Sequence, residues 1–102
     1  MAPVAVPFSE VDIASLGVFA ARHRCAPIAT DYRSGGVSYR FAGKDGRALV
    51  FAVAKLTARR WFGDRTYYYV EIELPDGRQH RTCGGMRRAL EFVRTALRLA
   101  ES

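Results

Sequence analysis

The chain has 102 residues, 49% of them hydrophobic, and 16 Lys and Arg against 10 Asp and Glu give a formal net charge of +6. That length carries one domain with one modest core and excludes dependence on a disulfide framework. The apolar runs are too short to cross a bilayer. The N-terminus lacks a basic region, and Glu10 and Asp12 interrupt its apolar stretch, so neither a membrane span nor a secretory signal is expected. The corresponding expectation is a cytoplasmic protein with Cys25 and Cys83 as free thiols.

Met1 to Pro7 has two prolines and no periodicity and reads as a flexible N-terminal arm, with residues 8–102 forming a single α+β domain. Ser9 and Asp12 have the spacing of a capping box, and Phe8 and Ile13 that of a hydrophobic staple, so a helix begins at Ser9. Ile13, Leu16 and Ala20 give its buried stripe, with Phe19 on the flank, and Pro27 stops it near Cys25. Ala29 to Gly36 reads as a polar connector. Val37, Tyr39 and Phe41 then alternate with polar or small residues as a half-buried strand. Gly43-Lys44-Asp45-Gly46 is a hairpin turn. Ala48 to Leu56 is a strand apolar on both faces, hence central and covered, or with one face against a partner.

Thr57 to Arg65 reads as a basic, aromatic connector. Tyr67 to Leu74 alternates as a third strand, Pro75-Asp76-Gly77 turns the chain, and Arg78 to Cys83 returns. Gly84-Gly85 breaks that strand. From Met86 the period is helical, with Met86, Leu90, Val93, Leu97 and Ala100 as the core stripe and Arg87, Glu91, Arg94 and Arg98 opposite. The expected order is α-β-β-β-β-α: a four-stranded antiparallel sheet with both helices packed on one face.

Four constellations bear on function. Arg81, Arg87 and Arg88 surround a strand-to-helix turn whose bare backbone and helix dipole suit an anion such as a phosphate. The sheet face away from the helices is expected to carry Arg40, Val50, Tyr67 and Tyr69. Its tyrosines suit base stacking, but Glu71 and Glu73 repel phosphate, and the Val50 strip with Ala48, Ala52 and Ala54 suits a homodimer or another protein contact. The connector holds Arg59, Arg60 and Trp61, residue types that dominate binding hot spots, either as a strand extension reaching into a groove or as a loop gripping a protein. His23, Cys25, His80 and Cys83 are zinc-ligand types without the spacing of a zinc motif, so no metal or other cofactor is expected.

No serine–histidine–acid set can be argued from spacing, and the Glu71 and Glu73 carboxylates are expected to solvate their face or meet Arg78 or Arg81, so the chain reads as non-enzymatic. The remaining reactive group is Cys83, just before a helix start that would lower its pKa. Two functions follow. In one, Arg59, Arg60, Arg81, Arg87 and Arg88 bind nucleic acid. In the other, a stand-alone protein-interaction module or inhibitor, for example a phage or mobile-element anti-defence protein, meets an acidic protein surface or homodimerises through the outer sheet face.

Overall fold

The computed structural model describes residues 3–43 and 46–101. Met1 and Ala2 of the expected arm, Lys44 and Asp45 of the first expected turn, and Ser102 lie outside them. In chain order the elements are β1 (Val4–Ala5), α1 (Glu10–Arg22), β2 (Ala26–Asp31), β3 (Gly36–Ala42), β4 (Ala48–Arg60), β5 (Gly63–Leu74), β6 (Gly77–Cys83) and α2 (Met86–Glu101). Strands β2 to β6 form an antiparallel meander, and β1 pairs with β4 beyond the end of β3.

The α+β class and the antiparallel sheet agree with the sequence reading. The strand count does not: among the described residues the sheet has six strands, not four. Both additions escape burial periodicity. Every residue of β2 is exposed, so no alternation marks it, and Pro27 is tolerated because the strand lies at the sheet edge. β1 lies inside the expected N-terminal arm and is equally exposed. The helix α1 ends at Arg22, with His23 as its C-cap and Arg24 at φ 56°, so the chain turns through a left-handed residue before Pro27 is reached.

The capping box forms as expected: the Asp12 amide donates to Ser9 Oγ and the Ser9 amide to Asp12 Oδ2, both at 3.1 Å. Phe8 is buried in the core, and Ile13 is partly buried and packs against it. The core is one layer between the helices and one sheet face. Leu49, Phe51 and Val53 of β4 and Val70 and Ile72 of β5 meet Leu16 and Phe19 of α1 and Ala89, Val93 and Leu97 of α2. Phe51 is its hub, edge-on to Phe19 and stacked on Tyr39. Each of the Val, Leu, Ile and Phe side chains taken fully from water contributes about 1.5–3 kcal/mol. The buried stripe of α1 differs from the expected one in its first member, which is Asp12 rather than Ile13.

Candidate nucleic-acid interface

Of the two forms expected for Thr57 to Arg65, a strand extension or a loop, the structure has the strand extension: the segment is the end of a hairpin. β4 and β5 stay in continuous register from Val50↔Glu73 to Arg60↔Gly63, so a turn of only two residues, Trp61 and Phe62, joins them. Gly63 follows the turn at φ 127°, a conformation that favours glycine. β6 stops at Cys83, opposite Tyr68, and β1 reaches only Thr57, opposite Thr66. Beyond that level the two strands have no neighbour among the described residues, and roughly 10 Å of two-stranded ribbon projects from the described body. The molecule is accordingly 49 Å long and 26 × 19 Å across.

Strand parity sets what this ribbon displays. Arg60, Arg65 and Tyr67 share the face that carries Val50, away from the helices, while Arg59 and Asp64 share the helix-side face. Cations therefore stand on both faces. Among the described residues Arg59, Arg60 and Arg65 form no ion pair. At the tip Trp61 is 96% exposed and Phe62 65%. The two rings meet edge to face at 5.2 Å and 89°, and the Arg60 guanidinium lies 5.9 Å from the Phe62 centroid. Trp61 is thus the ring left open to a ligand.

The root of the ribbon is pinned at Lys55. Its amide donates to the Gly35 carbonyl at 2.8 Å, and its carbonyl accepts from Val6 at 3.0 Å. Its Nζ reaches Asp12 Oδ2 at 2.9 Å, and Tyr68, directly across the hairpin, donates its hydroxyl to Asp12 Oδ1 at 2.8 Å. Burial alone would raise the Asp12 pKa, but the hydrogen bonds from Lys55, Tyr68 and Ser9 outweigh it and hold the carboxyl below its ordinary value. Burial and the same Asp12 bond push the Tyr68 phenol up. Farther out, the Thr57 and Thr66 hydroxyls pair across the ribbon at 3.0 Å.

The arginines near the start of α2 divide. Arg81 lies on the helix-side face of β6, with its guanidinium 4.9 Å from the Phe92 centroid, and shares a surface hollow with Arg88, Thr82, Thr95 and the acidic Glu91. Arg87 turns the other way, into the groove between the helices, where it pairs with Glu91 at 3.4 Å. The Tyr68↔Cys83 pairing puts the Arg81 and Arg88 hollow at the end of the sheet from which the ribbon leaves. Arg40 is elsewhere. It is level with Val50 and Glu73, ten positions from the tip, or roughly 34 Å along the strands.

On the outer face Arg78 pairs with Glu73 at 3.0 Å and with Glu71 at 3.6 Å, as the alternation implies, whereas Arg81 lies on the opposite face. Tyr69 is half-buried and stacked on His80 at 5.9 Å. Val50, Ala52 and Ala54 are also half-buried, and the last two floor a shallow hollow beside Tyr69.

Cys25 and Cys83 are both buried and free, at opposite edges of the meander, so they do not bridge. Burial raises the Cys25 thiol to about 11. Burial also raises Cys83, against the partial opposition of Arg81 and Arg88, which reverses the lowered pKa expected from the neighbouring helix start. Among the described residues no cluster of His, Cys, Asp or Glu could hold a metal, and no helix is long and apolar enough to cross a membrane.

No protein-family model, curated protein or solved structure matches this chain.

Proposed function

We propose that this protein is a small, non-enzymatic nucleic-acid-binding module whose grip is the projecting β4–β5 hairpin. The observation that carries the reading is the ribbon itself. Three arginines without ion-pair partners among the described residues, Arg59, Arg60 and Arg65, surround an exposed Trp61–Phe62 turn that stands clear of the described body. A core gains nothing from such a tip, whereas cations around an aromatic suit a phosphate-walled ligand with stackable bases. Arg81 and Arg88 lie at the same end of the sheet and supply a second cationic patch for the continuing backbone. Arg87, tied to Glu91, and Arg40, far along the strands, are lesser contributors.

Binding to labelled oligonucleotides across a salt series tests the reading. Each phosphate contact steepens the dependence of log affinity on log salt by about 0.9 on B-form DNA, so reversing Arg59, Arg60 and Arg65 to Glu is expected to flatten the slope by about 3. An affinity indifferent to salt would refute it.

A second reading has one observation behind it. The half-buried Val50, Ala52 and Ala54 form a smooth apolar strip on the open outer face, which suits a second copy or another protein. An inhibitor acting through an acidic protein surface, phage-borne anti-defence proteins included, belongs to this class. Light scattering separates the two: a dimer insensitive to salt and oligonucleotide favours the outer face.

A further inference from the structure

Resting on the nucleic-acid reading above, we propose that the ligand is the junction at which a duplex opens into single strands. Trp61 stacks on the first unpaired base, and the ribbon's two cationic faces meet the diverging backbones. Three observations select this form of nucleic acid.

The tip offers one stacking surface rather than a run of them. Trp61 and Phe62 stand at 89° to each other, and Arg60 lies against Phe62, so consecutive bases cannot stack on both rings. A continuous single strand needs a platform, and the outer sheet face does not supply one. There Tyr69 is occupied by His80, and Arg78 is held by Glu73 and Glu71 rather than free for phosphate. Intact duplex fits poorly for an energetic reason. Stacking one base on an aromatic ring is worth roughly tenfold in affinity, and prying apart a stacked step costs at least as much. Trp61, the one ring at the tip left open to a base, therefore gains most where the base is already unstacked. Arg59 on one face and Arg60 and Arg65 on the other then lie toward separate strands. A ribbon roughly 10 Å long reaches past the walls of a groove about 8 Å deep while the body stays outside.

The test uses the whole protein with three probes of one sequence: a forked duplex, the closed duplex and the single strand. Trp61 is the only tryptophan, so its fluorescence reports stacking directly. The fork is expected to bind about tenfold tighter than the closed duplex or the single strand and to quench Trp61 most strongly. Trp61→Ala should abolish the fork preference, bringing fork affinity down about tenfold toward that of the closed duplex. The side chain is almost wholly exposed, so the variant should melt like the wild type, which circular dichroism verifies. Equal wild-type affinity for fork and duplex, single-strand binding as tight as the fork, or a fork preference that survives Trp61→Ala would each overturn the junction proposal. All three leave the nucleic-acid reading standing. Failure to bind any of the probes at low salt would overturn both.

Discussion

The Tyr68 hydroxyl donates to Asp12 Oδ1 at 2.8 Å, joining the root of the projecting hairpin to the first turn of α1 across 56 positions of sequence. Asp12 caps its own helix and receives Lys55 through the other oxygen, so one buried carboxylate ties the helix N-terminus to both strands of the ribbon. No buried side-chain polar atom of the described residues lacks a partner. A buried charge is tolerable only under that condition.

Removing Asp12 should therefore be costly. Asp12→Ala leaves Lys55 unpaired in a largely buried position and deletes the Asp12 half of the capping box, and a loss of about 3–5 kcal/mol is expected. Tyr68→Phe removes one hydrogen bond to a charged group and should cost about 1.5–3 kcal/mol. Urea denaturation of both variants measures this. An Asp12→Ala protein as stable as the wild type would show that the junction does not hold the fold.

The same carboxylate sets a pH dependence. Its pKa in the folded chain lies below the ordinary value, so folding favours the ionised form. The stabilisation is fully present above the unfolded value of about 4 and is lost as pH falls through the lower folded value. Thermal melts should show stability falling on the acid side of about pH 4, and Asp12→Asn should flatten that limb. An equally steep limb in Asp12→Asn would assign the acid sensitivity to other groups.

Gly35 should tolerate no side chain. Its φ is +69°, and a Cβ there would overlap the Val6 carbonyl oxygen. Gly35→Ala is expected to cost more than about 1 kcal/mol and to release β1 from β4. Neighbouring Gly36, where a Cβ meets nothing within 4 Å, provides the control. Hydrogen exchange at the Val6 amide, which donates to Lys55, reports the release. Unchanged protection in Gly35→Ala would contradict it.

The arginines beside α2 should not be equivalent. Arg81→Glu with Arg88→Glu inverts the two cations of one hollow and should weaken oligonucleotide binding more than Arg87→Glu does. Arg87→Glu instead faces Glu91 with a like charge and should cost the helix a few tenths of a kcal/mol, about 0.2–0.5. Fluorescence anisotropy alongside thermal melts separates the two effects. Greater binding loss from Arg87→Glu would place the contact in the groove between the helices.

Features governed by nearest neighbours were legible in the chain. Ser9 and Asp12 announce the helix cap, the alternation of Tyr68, Val70 and Ile72 announces a half-buried strand, and Pro75 and Asp76 before Gly77 announce the turn. The ribbon was not legible in the same way. Thr57 to Thr66 is wetted on both faces, so no burial period marks it, and the backbone ladder and the Thr57–Thr66 bond hold it instead. Its available signal was modest: β-branched threonines placed symmetrically about a short turn followed by glycine. The edge strand β2 was hidden for the same reason.

The sequence by itself determined the α+β class, the core faces of β3 to β5, the capped start of α1 and the amphipathic α2, because each depends on spacing within a few residues. Only the tertiary structure decided that Asp12 is buried, that Arg87 and Arg88 diverge, that Cys83 is shielded rather than activated, and that Trp61 stands at the end of a ribbon. Those outcomes depend on which residues from distant positions become neighbours. Lys55 and Tyr68 become partners of Asp12, Glu91 takes Arg87, and beyond Thr57 no third strand of the described residues flanks the hairpin.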